Sequence, residues 1–195
     1  MKRILFMALM ALLPMLMMAQ KQGGEVKRPT PKAQERKLSP SEMRNMGIDY
    51  EYGQNGKTKN LAEAFKWYKK AAEAGDLEGQ YKLGVCYDWG KGVPQDAPKG
   101  AYWYCKAAER GHVYAQYMIG LCYDKGVGVE QDYIQAVYWY KKSADQGYAY
   151  AQVNLGNCYY QGKGIGKDNS MARYWWQKAA DQGDETAINN LKLLD

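Results

Sequence analysis

The chain has 195 residues, 46% of them hydrophobic and 25% charged, and a formal net charge of +6. That apolar share is enough for a folded core, and no apolar run is long enough for an ordinary membrane-spanning helix of roughly 20 residues. The whole positive excess lies before residue 41, so residues 41–195 are neutral in sum and their net charge makes no case for a nucleic-acid partner.

Residues 1–19, MKRILFMALMALLPMLMMA, resemble a secretory signal. Lys2 and Arg3 form a basic start, Ile4 to Met18 is apolar apart from Pro14, and Ala19 offers a small residue for cleavage before Gln20. Met17 departs from the small residue usual near such a site, so a short uncleaved anchor is the alternative. No cysteine follows the apolar run, which argues against a bacterial lipoprotein anchor. Residues 20–40 have no apolar periodicity, hold Pro29, Pro31 and Pro40, and carry six Lys/Arg against two Glu. They are expected to be a disordered basic linker.

From residue 41 onward the chain repeats. The glycines Gly75, Gly111, Gly147 and Gly183 recur every 36 residues, a period that marks a solenoid or array. In residues 41–75, Gly47, Tyr50 and Gly53 lie 37 residues before Gly84, Tyr87 and Gly90. This first unit is therefore divergent, with one extra residue between Gly53 and Asn60. The central unit shows the plan. Ala115, Met118, Ile119 and Cys122 follow helical spacing until Gly126 and Gly128 break it. Asp132 with Gln135 reads as a cap for a second helix, along which Ala136, Trp139, Tyr140, Ser143 and Ala144 keep helical spacing until Gly147. Second helices are thus expected to start near Asn60, Asp96, Asp132 and Asp168. Residues 184–195 are a half unit, with Lys192 where the other units have glycine, and read as a capping helix.

Gly84, Gly120 and Gly156 share one position of the first helix, and Ala64, Gly100, Ala136 and Ala172 one position of the second. Small residues in register predict a close helix crossing. Trp67, Trp103, Trp139 and Trp175 recur in register too and are expected to pack in the core or between units.

The stretches LGVCYDWGKGVPQD, starting at Leu83, and GAYWYCKAAERG, ending at Gly111, with their two downstream copies, resemble the Sel-one-like repeat, a relative of the tetratricopeptide repeat. The resemblance covers roughly residues 41–195. It implies an all-α, right-handed superhelical solenoid of αα-hairpins, here four units plus a C-terminal half unit, used as adaptor or scaffold for protein–protein contact. It implies no single reaction and no cofactor.

Candidate chemistry is sparse. His112, the one histidine, occupies the turn position held by Asp76, Tyr148 and Asp184 in other units and has no matched nucleophile or base, so it reads as a turn residue. No phosphate-binding glycine loop occurs. Cys86, Cys122 and Cys158 are one position in successive units. Equivalent helices lie no closer than roughly 8–10 Å, beyond the roughly 7 Å Cα separation a disulfide allows, so these three are expected to be buried thiols. Cys105 is out of register, and its pairing with Cys86 stays open. Cysteine-rich relatives bond pairs within each repeat, and this chain lacks that pair. Paired-cysteine spacing and histidine clusters are missing, so no metal is expected.

By analogy with tetratricopeptide repeats, the concave face comes from first-helix positions that do not pack internally. These are Tyr81, Val85, Asp88 and Trp89; Tyr114, Tyr117, Leu121, Asp124 and Lys125; and Tyr150, Val153, Asn157, Tyr160 and Gln161. Tyrosine and tryptophan supply contact area with polar tips, although the same rings could pack between repeats. The expected function is an exported, periplasmic or secreted scaffold that binds a protein or peptide on this face, with no nucleic acid and no membrane span in the mature chain. The alternatives are a cell-wall or β-lactam-related hydrolase, suggested by the cysteine-rich relatives, or a purely structural or oligomerisation module.

Overall fold

The computed structural model describes residues 37–194. The expected signal and most of the expected linker lie outside the described residues. The first helix, α1 (Pro40–Tyr52), starts one residue inside the stretch expected to be linker. The reason is local. Ser39 accepts from the Glu42 backbone N–H, the Glu42 carboxylate accepts from the Ser39 N–H, and Pro40 supplies the first-turn φ.

Four hairpins then follow in chain order. Helix α1 pairs with α2 (Leu61–Glu73), α3 (Leu77–Trp89) with α4 (Ala97–Glu109), α5 (Val113–Lys125) with α6 (Tyr133–Asp145), and α7 (Ala149–Gln161) with α8 (Asn169–Ala180). A short helix α9 (Glu185–Leu191) and one 3-10 turn close the array. Each second helix also packs on the first helix of the next unit, so the architecture is an all-α solenoid of paired helices. The described residues form no strand. Asn60, Asp96, Asp132 and Asp168 cap α2, α4, α6 and α8 as their spacing predicts, each side chain accepting a first-turn backbone N–H. The carboxylate of Glu63 does not complete a capping box but turns to Lys66 at 2.6 Å.

Inside each hairpin the recurring first-helix glycine has a specific partner. A Cβ built on Gly84 would meet Tyr104 Cδ1 at 2.6 Å, and one on Gly120 would meet Tyr140 Cδ1 at 2.7 Å. Gly47 and Gly156 stand in the same way against Tyr68 and Trp176. The rings seated on the glycines are therefore Tyr68, Tyr104, Tyr140 and Trp176, all essentially solvent-free. The tryptophans one residue earlier divide. Trp139 and Trp175 are buried, each in a cluster that includes residues of the preceding unit, whereas Trp67 and Trp103 are only half-buried. Residue i and residue i+1 point about 100° apart around a helix, so only one of the adjacent rings can face its own hairpin partner.

Units are joined by a buried amide ladder. Gln80, Gln116 and Gln152 donate to the carbonyls of Ala72, Ala108 and Ala144 across each inter-unit turn, at 3.4, 3.2 and 3.2 Å. Their own side-chain oxygens accept from Arg110, Gln146 and Gln182 at the end of the second helix of the same unit. All four cysteines are free thiols, Cys86, Cys122 and Cys158 buried and Cys105 half-buried. The possible Cys86–Cys105 bond is thus not formed, and the Cys105 thiol faces Glu109 instead.

Candidate functional site

The first turns of α5 and α7 bring a chain of rings together. Tyr81 of α3 stacks on the His112 imidazole with centroids 4.7 Å apart. His112 and Tyr81 both approach Tyr114, which meets Tyr148 edge-on at 5.2 Å. Tyr148 meets Tyr117 at 5.1 Å and Tyr150 at 5.5 Å. Tyr114 and Tyr150 are 50% and 57% exposed, while Tyr81, Tyr117 and Tyr148 are half-buried beneath them. Edge-to-face pairs of this kind add to the stability of ring contacts. Because each supporting ring is held by two or more others, the two exposed tyrosines sit on a braced platform.

Two members of this platform, His112 and Tyr148, were absent from the sequence-derived face. Both occupy the cap position that Asp76 and Asp184 hold elsewhere. An aromatic side chain at that position, in the two units with a tyrosine two residues on, was the available signal. His112 still caps: its Nδ1 accepts the Ala115 N–H at 3.1 Å, so the ring proton sits on Nε2 and is donated to Glu78 Oε2 at 2.9 Å. Tyr148 makes no side-chain cap bond.

The other expected positions fall elsewhere. Asp88, Trp89, Leu121 and Lys125 line an apolar cleft with Met118, Cys122 and Val127 at the far ends of α3 and α5. Trp89 is 68% exposed there and lies about 12 Å along its helix from Tyr81 at 1.5 Å per residue. Asp124, Asn157 and Gln161 line a polar cleft with Tyr140, Asn154, Cys158 and Lys163. Val85 packs against the core of the second and third units. Tyr160 leans on Trp176 at 5.4 Å. Val153 does not belong to an exposed face: it is 5% exposed and packs with Trp176, Ala179 and Ala187. Val153 holds the position at which Tyr81 and Tyr117 are half-buried in earlier units.

The titratable groups at and around this surface are engaged or neutral. Both ring nitrogens of His112 are occupied. Burial pushes the Cys86, Cys122 and Cys158 thiols up to about 12, so they are protonated and poor nucleophiles at neutral pH. Burial also raises the hydroxyls of Tyr81, Tyr117 and Tyr148, the last to about 12, so they remain neutral donors. Among the described residues no group of three or more His, Cys, Asp and Glu is placed to hold a metal, and no helix is long and apolar enough to cross a membrane.

The Glu78 carboxyl is held below its ordinary 4.5, chiefly by the interaction with His112, which outweighs partial burial, with smaller help from the charges of Lys82 and Arg44. A depressed folded-state pKa contributes stability above the unfolded value, and that contribution is lost as pH falls through the folded value. Glu78→Gln, which still accepts from Nε2, should therefore lose less stability than the parent between pH 5 and pH 3. Chemical melts at the two pH values check this, and parallel curves would show that the pair is uncoupled from folding.

Stacked αα-hairpins with a braced ring platform define a repeat scaffold, the kind of surface used for protein–protein contact. The Sel1 repeat model matches residues 43–76, 77–112, 113–148 and 149–184, and the chain belongs to that family. A protective antigen of uropathogenic Escherichia coli with an SLR fold is 39% identical at a TM-score of 0.75, over 78% of this chain and 32% of the antigen. A Sel1 repeat protein of Oxalobacter formigenes is 35% identical at a TM-score of 0.73, over 80% of this chain and 45% of that one. The chain thus spans under half the length of either. Cysteine-rich protein B of Helicobacter pylori is 26% identical at a TM-score of 0.54, over 68% of this chain and 96% of that one. Among curated proteins, the DAP3-binding cell death enhancer 1 of Rattus norvegicus is 39% identical over 46 residues, 24% of this chain and 9% of the relative.

Proposed function

We propose that this protein is an exported scaffold that holds a polypeptide segment on the first-helix face of units two to four, with Tyr114 and Tyr150 as anchors. The observation that carries this is the unbroken ring chain from Tyr81 to Tyr150. Rings selected only for packing would end up buried, yet two of these stand half-open on a supported base. Exposed aromatics of this type are common binding hot spots. Export follows from the signal-like residues 1–19, which would leave a mature chain beginning near Gln20.

The test is affinity capture from the envelope fraction with the parent and with Tyr114→Ala/Tyr150→Ala. Each truncation should weaken the captured complex by about 1–3 kcal/mol, with little change in melting temperature because both rings are half-exposed. Equal capture by the double variant would remove the platform from the binding function. The intact mass of the recovered protein reads out the start near Gln20, and a mass that still included Met1 would favour the anchor.

A further inference from the structure

The three unit junctions use the same positions with different chemistry. At the first, the buried Tyr68 hydroxyl donates to Glu51 at 2.5 Å, and Lys82 and Lys91 approach the same carboxylate at 4.0 and 3.8 Å. At the second, the Tyr104 hydroxyl donates to Asp88 at 3.1 Å, and the two lysine positions are Met118 and Val127. At the third, the corresponding residues are Tyr140, Asp124, Asn154 and Lys163. Here the Tyr140 hydroxyl is buried, with the Asn154 amide as its polar neighbour, and no group of the described residues lies within bonding distance to accept its proton. The Tyr140 side chain lines, with Asp124, Asn154, Asn157, Cys158, Gln161 and Lys163, a cleft of about 230 Å³, smaller than the roughly 300–1,000 Å³ of drug-sized ligand sites and of a size for one small polar group.

The wall groups are also left with bonding capacity. Lys163 lies over the Tyr133 ring at 5.3 Å rather than against a carboxylate. The Asn157 oxygen accepts from Trp176 Nε1 at 3.1 Å and from Asn190 Nδ2 at 3.0 Å. Both lone pairs are then used, and its amide N–H groups remain to donate. A ligand group that complements this cleft must accept from Asn157 and Tyr140 and donate to Asp124. It should also be neutral, because Asp124 and Lys163 balance each other.

We infer that the cleft between α5 and α7 takes an amide of a polypeptide, either a main-chain peptide group or an Asn/Gln carboxamide, and that it fixes the register of the segment held by the tyrosine platform; this rests on the function proposed above. An amide carries one acceptor and at least one donor on adjacent atoms, which matches the two sets of wall groups. Buried hydroxyls are normally paired; the first two junctions supply a carboxylate that accepts the hydroxyl proton, whereas at the third the polar neighbour is the Asn154 amide.

The experiment titrates the isotopically labelled full chain with the neutral peptide acetyl-Gly-Gln-Gly-amide, following the side-chain amide resonances of Asn154 and Asn157. Saturable shifts there, with affinity reduced about tenfold in Tyr140→Phe through loss of one buried hydrogen bond, are expected. Equal affinity in Tyr140→Phe, or tighter binding of n-butylammonium than of the peptide, overturns the amide assignment. Shifts confined to the surroundings of Tyr114 and Tyr150 overturn the cleft but leave the platform standing. Cleft binding together with undiminished capture by Tyr114→Ala/Tyr150→Ala does the opposite. Tyr140→Phe should keep the parent melting temperature, whereas Tyr104→Phe, which loses its bond to Asp88, should lower it. An equal drop in both variants would show that the Tyr140 hydroxyl is already bonded within the fold.

Discussion

Gly120→Leu should lower the stability of the array by about 1–3 kcal/mol or more. A Cβ alone at residue 120 would sit 2.7 and 2.8 Å from two atoms of the Tyr140 ring and 3.5 Å from the Ala136 carbonyl. That ring is fully buried and has nowhere to retreat, since its cluster includes Ala144, Leu155 and Trp175 of the same and next units. The hairpin α5–α6 would have to open, and the ladder from Gln116 to Gln146 would stretch with it. Urea and thermal melts read the effect. An unchanged melting temperature would show that α5 and α6 do not cross at this glycine. Lys192, at the corresponding position of the last helix, is exposed where α9 ends, so no comparable penalty arises there.

The second large effect separates two neighbouring rings. Tyr104→Ala should cost about 3–5 kcal/mol, as truncation of a buried ring usually does, because it empties the seat beside Gly84 and leaves Asp88 without its hydroxyl donor. Trp103→Ala should cost clearly less, since Trp103 is half-buried and part of its area already faces water. Urea midpoints of the two variants make the comparison. Equal losses would place both rings in the core, and a larger loss for Trp103→Ala would reverse the packing described above.

Much of the fold was legible because it is written locally and then repeated. A cap is made by one side chain and a backbone N–H two or three residues on, so Asn60, Asp96, Asp132 and Asp168 mark helix starts wherever they occur. The period of the block-ending glycines sets the number of units without reference to any contact. The seat of the close-packed ring was not legible. Trp103 and Tyr104 are adjacent, both are large, and both recur at the same period, so pattern alone ranks the larger one as core. The crossing of α3 and α4 decided for tyrosine by turning it onto Gly84.

The candidate site followed the same division. Repetition by itself determined that the first helices carry a row of tyrosines. Which of those rings stay open depends on the neighbour stacked against each one. Tyr114 and Tyr150 remain half-exposed, but Val153, the smaller side chain at the position of Tyr81 and Tyr117, is buried with Trp176 and Ala187. His112 and Tyr148 join the platform only because an inter-unit turn lays a cap residue against the preceding first helix. The free hydroxyl of Tyr140 is further still from the sequence. It results from side chains far apart in the sequence meeting at one junction, and whether two such groups bond is a matter of tenths of an ångström that only the stacked helices determine.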